Sequence, residues 1–267
     1  MDRRRLTVNC SILFTAASLL HRPRHARDAG FDAVEFWWPF DVTVPADRDV
    51  EAFVTAVEDA GVRLTHLNLA AGDLAAGDRG LLSSPRHSAE FRDSVDVATD
   101  IGKRLGTVGF NALYGNRVDG LEVATQNELA TENLAIAARA AAAIGATILV
   151  EPLSAIPAYP LLHAADAVAV CDRVRREHGV DNVMLLADLY HLAVNGDDLD
   201  EVLSVHSGRV GHVQLADAPG RGEPGTGNLD LARCLRILDT QSYRGWISLE
   251  YRATRADPFD WISDFPA

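Results

Sequence analysis

Three cysteines in 267 residues, Cys10, Cys171 and Cys234, are too few and too scattered to staple a fold. The sequence has no CxxC pair, which argues against a disulfide framework and a thiolate zinc site. Reduced core thiols in a cytoplasmic protein are the expectation. No stretch approaches the roughly 20 apolar residues that a membrane helix requires. The opening MDRRRLTVNCSILF carries a basic cluster but only short apolar pieces, broken by Asn9 and Ser11, so no secretory leader is expected. Positive charge is also in deficit, with 25 basic against 38 acidic side chains and a net charge of −13. There is no basic stripe interleaved with aromatics, and such a surface repels nucleic acid and anionic membranes. No GxGxxG follows the first apolar run, and no low-complexity segment or Pro/Gly/Ser linker divides the chain.

Apolar residues make up 48% of the chain, enough to bury a large core. They fall into eight short runs: Leu6 to Cys10, Ala33 to Trp37, Arg63 to Leu69, Thr107 to Leu113, Thr147 to Glu151, Asn182 to Asp188, Arg209 to Ala216 and Trp246 to Tyr251. Most are continuous rather than alternating, as expected for parallel strands covered on both faces. Helical patterns fill the gaps. DVEAFVTAVEDAG stops at Gly61, the segment from Arg92 to Leu105 at Gly106, and ENLAIAARAAAAIG at Gly145. Glycine suits the left-handed turn past a helix end. Asp166 to His178 is amphipathic, and a short helix is expected from Leu199 to His206. Eight such units predict one α/β domain over residues 1–267, a single (β/α)8 TIM barrel rather than an open doubly wound sheet. The longest loops, Leu69 to Pro85, Gly115 to Gly120, Pro152 to Pro160 and Asp217 to Asn228, each follow a strand. They therefore belong to the C-terminal face, where such barrels carry their chemistry.

The run DNVMLLADLYHL ends strand six on Asp188, with His191 three residues later. Other strands end in the same way. Strand five delivers Glu151, strand seven Gln214 followed by Asp217, and strand eight Glu250. Each acid taken alone is as readily a helix cap or a salt-bridge partner. Converging on one rim, three carboxylates repel and are costly to bury. A divalent cation held by Glu151, Asp188, Gln214 and Glu250 resolves that cost, and the all-oxygen set favours Mg²⁺ or Mn²⁺. His191, beside a ligand, is placed to hydrogen-bond substrate or to serve structure. His66 on strand three and His212 on strand seven are open to simple packing or to a role, and His66 is counted among the substrate-binding candidates. Arg221, in the loop QLADAPGRGEPGTGN, is either a surface arginine or a bidentate partner for a substrate carboxylate.

The stretch HVQLADAPGRGEPGTGN, together with EPL, ADLYH, SLEY and the loop NLAAGDLAAGDRG, resembles the hydroxypyruvate isomerases of the xylose-isomerase-like barrels. The resemblance covers essentially the whole chain. It implies that Glu151, Asp188, Gln214 and Glu250 ligate the metal, that Glu151 and Glu250 are the catalytic acid/base pair, and that His191 and Arg221 hold substrate. The implied reaction interconverts hydroxypyruvate and tartronate semialdehyde through an ene-diolate. A ketose 3-epimerase or an oxo-tetronate isomerase would share the site, and a non-catalytic sugar-acid-binding barrel belongs to another class. The departures are Asn228 where the family has glutamate, His66 where an apolar or aromatic residue is usual, and the bulky EFWWPF at Glu35 to Phe40. A small hydroxy or oxo acid or sugar is the expected partner, without nucleic acid or membrane. Trp37, Trp38 and Trp261 are candidates to roof the pocket or to face a second copy in a homodimer.

Overall fold

The structure, a computed structural model, describes residues 5–263. Arg3 and Arg4 of the N-terminal basic cluster lie outside the described residues. Eight parallel strands close into a barrel in sequential order: β1 (Leu6–Asn9), β2 (Ala33–Phe36), β3 (Arg63–Asn68), β4 (Gly109–Asn111), β5 (Thr147–Val150), β6 (Val183–Asp188), β7 (Val210–Leu215) and β8 (Ile247–Leu249). Closure is made by β1 against β8, with Leu6 opposite Ile247 and Val8 opposite Leu249. The (β/α)8 architecture expected from the eight apolar runs is therefore present.

The outer layer consists of α1 (Arg22–Asp28), α2 (Asp47–Ala60), α3 (Ser88–Leu105), α4 (Val123–Ala142), α5 (Ala164–His178), α6 (Leu189–Val194), α7 (Leu199–Val205) and α8 (Leu231–Thr240). Gly61 and Gly106 take left-handed φ of 67° and 75° at the ends of α2 and α3, as their sequence positions predict. Apolar helix faces pack onto the strands. Phe36 of β2 and Phe53 of α2 meet edge to face, 5.2 Å between ring centroids. All three cysteines are buried and free. Among the described residues, no helix is long and apolar enough to cross a membrane.

Strands are shorter than the apolar runs. Asn9, Asn68 and Asn111 are the last residues of β1, β3 and β4, and Glu151 and Glu250 lie one residue beyond β5 and β8. Polar side chains thus gather at one rim of the barrel. Two glycines make room inside. A Cβ on Gly109 would lie 2.7 Å from the His66 ring, and one on Gly211 would lie 2.7 Å from Leu149. Trp261 differs from expectation. It is 4% exposed, with its indole nitrogen donating to the Tyr251 hydroxyl at 3.0 Å, so it faces neither the pocket nor a second copy.

Candidate active site

Asp188 serves two structures with two oxygens. Oδ1 caps α6, accepting from the backbone N–H of Tyr190 at 2.8 Å and of His191 at 3.2 Å. Oδ2 accepts from Arg221 Nη2 at 3.1 Å. Both readings of a lone strand-end acid are therefore true of the same side chain. The cap starts α6 at the rim, and that turn carries His191 into the cavity wall.

His191 is oriented by Ser154 in the loop after β5. The Ser154 backbone N–H donates to Nδ1 at 3.0 Å, and its hydroxyl oxygen lies 2.7 Å from the same nitrogen. A ring nitrogen that accepts a backbone N–H carries no proton, so in the neutral ring the proton is on Nε2. Burial, aided by the Arg221 charge and opposed by Asp188, lowers the imidazole pKa to about 4. His191 is thus a neutral donor, with Nε2 3.7 Å from Asp188 Oδ2.

Glu151 and Glu250 are 4% and 3% exposed. The Asn111 amide donates to Glu151 Oε2 at 2.6 Å. The Tyr159 hydroxyl holds the Glu151 carbonyl at 2.9 Å. Burial first, and then the charge of Asp188, push the Glu151 carboxyl up to about 8. Glu250 is raised well above the carboxylate range, again by burial, against the pull of Arg221. Its Oε1 accepts from Arg221 Nη2 at 2.5 Å, and its Oε2 accepts from Asn9 Nδ2 at 2.8 Å and from the amide of Gln214.

Arg221 reaches this position from an unusual backbone. It has φ +58°, in the left-handed region that L side chains rarely adopt, just after Gly220. Asp217 organises the loop: its carboxylate accepts from the backbone N–H of Ala218, Gly225 and Leu229 at 2.9, 2.9 and 3.0 Å. That strand-end acid therefore serves the loop. Asn228 is exposed, with its backbone N–H on Ala218 O at 2.7 Å, so this departure from the family pattern falls away from the cavity.

Glu151 and Glu250 line a C-terminal cavity of about 600 Å³ together with His191, Arg221, Asn68, Trp37, Arg79 and Arg252, whereas Asp188 and Gln214 are not in its wall. Ligand pockets are typically about 300–1,000 Å³. A second cavity of about 600 Å³ opens at the opposite end of the barrel, around Gly145, Gly208 and Trp246, away from these carboxylates. His66 lines that second cavity and not the first. Its ring stacks on His212 at 3.6 Å between centroids, so His66 packs against that ring and is not in the wall of the cavity that Glu151 and Glu250 line.

A hard cation fits the residues present. Ligand atoms of Glu151, Asp188 and His191 lie within 4.8 Å of one another, Gln214 stands opposite Asp188 in the β6–β7 register, and Gln214 bonds to Glu250. Gln214 Oε1 is buried without a hydrogen-bond partner, as a ligand oxygen would be before coordination. His191 is a poorer ligand candidate than the cluster suggests, because Nδ1 is engaged by Ser154 and Nε2 carries the proton.

One buried carboxylate escapes the strand-end pattern. Glu35 sits inside β2 and accepts from His212 Nε2 at 2.7 Å, Gln214 Nε2 at 2.5 Å and Asn9 Nδ2 at 3.2 Å. Burial works to raise its pKa, but the His212 charge and these hydrogen bonds outweigh it and hold the carboxyl below the usual value. A single acid within the apolar run AVEF was the sequence signal for it.

A family model described as "Xylose isomerase-like TIM barrel" matches residues 23–265. A Streptomyces coelicolor protein that carries the name hydroxypyruvate isomerase provisionally is 50% identical, over 97% of this chain and 95% of its own. The 2-oxo-tetronate isomerase of Cupriavidus necator is 34% identical, over 93% and 92%. Among solved structures, one from Brucella melitensis titled as a family 2 AP endonuclease superposes with a TM-score of 0.87 at 31% identity, covering 99% of this chain and 100% of that one.

Proposed function

Since the chain belongs to the xylose isomerase-like TIM barrel family and stands among its isomerases, we propose that it interconverts an α-hydroxy ketone and an α-hydroxy aldehyde on a small oxo acid, hydroxypyruvate and tartronate semialdehyde foremost. The observation that carries this reading is the pair of buried glutamates, Glu151 and Glu250, on the wall of one cavity with both carboxyl pKa values raised. A carboxyl whose pKa is raised is a stronger base than a free carboxylate and can return the proton as an acid, which suits proton transfer in both directions.

Glu151, Asp188, Gln214 and Glu250 would hold the cation. A bound Mg²⁺ or Mn²⁺ supplies Lewis-acid polarisation of the substrate's neighbouring oxygens. Glu151 and Glu250 carry the proton between the two substrate carbons, one removing it and the same or the facing carboxyl returning it. Asn111 fixes Glu151 through Oε2, and the hydrogen bonds on both oxygens of Glu250 fix its plane. His191 donates from Nε2 to a substrate oxygen.

The arginines favour an acid over a neutral sugar. Arg221 is already engaged with Asp188 and Glu250, whereas Arg79 and Arg252 line the same cavity without a carboxylate partner among the described residues. Arg79 donates only to the carbonyls of Leu74 at 3.0 Å and Asp78 at 2.6 Å. They supply the charge by which a protein of net charge −13 accepts an anion. Isomerisation of a 2-oxo-tetronate is the second reading, favoured by a cavity of about 600 Å³ and the Cupriavidus relative. DNA cleavage is disfavoured by the net charge of −13.

The test is turnover with Mn²⁺ in D₂O, followed by NMR, across hydroxypyruvate, 2-oxo-tetronates and neutral ketoses. Deuterium entering the product carbon from an oxo acid is the expected outcome. Cation binding without turnover of any substrate would instead make this a binding barrel.

A further inference from the structure

A carboxamide has two edges of nearly the same shape, one oxygen and one N–H₂, and a hard cation accepts only the oxygen. Nothing intrinsic to glutamine decides which edge faces a site. In this barrel the surroundings of Gln214 decide it. Its Nε2 lies against two carboxylate oxygens, Glu35 Oε1 and Glu250 Oε2, and its Oε1 has no hydrogen-bond partner. Reversing the amide would set its oxygen against the Glu35 carboxylate and lose both hydrogen bonds, the one to Glu35 being charge-assisted.

Of those two acceptors, Glu250 belongs to the reacting group itself. Glu35 does not. It is 1% exposed, lies within β2, is not among the residues lining the cavity, and is held from behind by His212 Nε2 at 2.7 Å. Glu35 also shares Asn9 with Glu250, so one carboxylate ties together the nitrogen edges of both amides beneath the site.

We propose that Glu35 is a positioning residue that fixes the Gln214 amide with its oxygen toward the cation. This rests on the reading of Gln214 as a ligand. The competing idea, a separate cation bound by Glu35, His66 and His212, fits less well. Their ligand atoms lie within 4.8 Å of one another, but the two imidazoles stack at 3.6 Å with 21° between planes. Stacked rings aim their nitrogens side by side rather than at one tetrahedral centre, and His212 Nε2 is already bonded to Glu35.

The test is Mn²⁺ titration calorimetry on the metal-stripped full chain. In Glu35→Gln, the new amide keeps its oxygen on His212 Nε2 and turns its N–H₂ to Gln214, which favours the reversed Gln214 amide, so Mn²⁺ affinity should fall by roughly 10–100-fold. Adding Gln214→Glu makes both atoms at position 214 oxygen, so orientation no longer matters. The new amide at position 35 then donates to it, and affinity should return to within about threefold of the unsubstituted chain. A purely structural role for Glu35 would not be rescued in this way. Unchanged affinity in Glu35→Gln overturns the proposal, as does a loss that the second substitution fails to restore. Should Glu35→Gln fail to fold, Glu35→Asp, which keeps the charge but withdraws it by one methylene, is expected to lose a similar factor, and unchanged binding there is equally fatal. Glu250→Gln separates the two readings. If that variant binds Mn²⁺ as the unsubstituted chain does, the ligand assignment itself fails, whatever Glu35 does.

Discussion

Arg221 Nη2 lies 2.5 Å from Glu250 Oε1, and the same nitrogen is 3.1 Å from Asp188 Oδ2. One guanidinium therefore faces two buried carboxylates that are also the expected cation ligands. The Arg221 side chain is 16% exposed and its guanidinium carbon sits 5.4 Å over the Tyr190 ring, so the charge is held in place rather than free in solvent.

Arg221→Ala should make the protein's stability depend on divalent cation. Without the arginine, the cation becomes the main counter-charge for Asp188 and Glu250, and uncompensated buried charge costs several kcal/mol. Thermal denaturation with and without Mn²⁺ checks this. The stabilisation by Mn²⁺ should exceed that of the unsubstituted chain by about 1–3 kcal/mol, or roughly 2–10 °C. Equal shifts would mean that Arg221 and the cation do not balance the same charges.

Arg79→Met should separate binding from chemistry. A charge-assisted hydrogen bond to a substrate carboxylate is worth about 1.5–3 kcal/mol, so KM for hydroxypyruvate should rise about 10–100-fold while kcat changes little. Neutral ketoses should show no such rise. Steady-state kinetics on the two substrate classes decides it, and a uniform loss on both would remove Arg79 from carboxylate recognition.

The architecture and the polar residues of the rim were legible because each is written in short-range pattern. Continuous apolar runs gave the parallel strands, and the polar residues at or near the ends of those runs gave the candidates Glu151, Asp188, Gln214 and Glu250. What stayed hidden depends on partners across the barrel. Glu35 lies 177 residues from His212 and 179 from Gln214, and no local pattern announces those bonds. For the same reason His66 read as a pocket residue, although its partner is the His212 ring. A lone strand-end acid such as Asp188 reads as either helix cap or salt-bridge partner, and only the geometry shows that its carboxylate has an oxygen for each. α6, only six residues long, is too short to have left a clear periodicity.

Glu223, in the GEPG turn, is buried and accepts from Thr254 N at 2.6 Å, Thr254 Oγ1 at 2.6 Å and Arg255 N at 3.0 Å. Burial tends to raise its pKa, but these hydrogen bonds outweigh that and hold it below the ordinary value. A carboxyl with a depressed folded pKa contributes stability that is complete above the unfolded value, about 4.3, and lost as pH falls through the folded one. Glu223→Gln should therefore cost about 1–3 kcal/mol at pH 7 and progressively less on acidification below the unfolded value. Urea denaturation at pH 7 and at acid pH checks it. A constant gap would show that the carboxylate's charge is not what ties the β7 and β8 loops together.

The central claim is that Glu151, Asp188, Gln214 and Glu250 share one divalent ion. Calorimetric titration of Mn²⁺ into the metal-stripped chain tests it most directly, with Glu250→Gln alongside. The account expects one ion bound per chain and binding weakened at least about tenfold in the variant, since a direct ligand should cost no less than the residues that orient it. A chain that takes up no Mn²⁺, or a variant that binds it undiminished, would contradict the account.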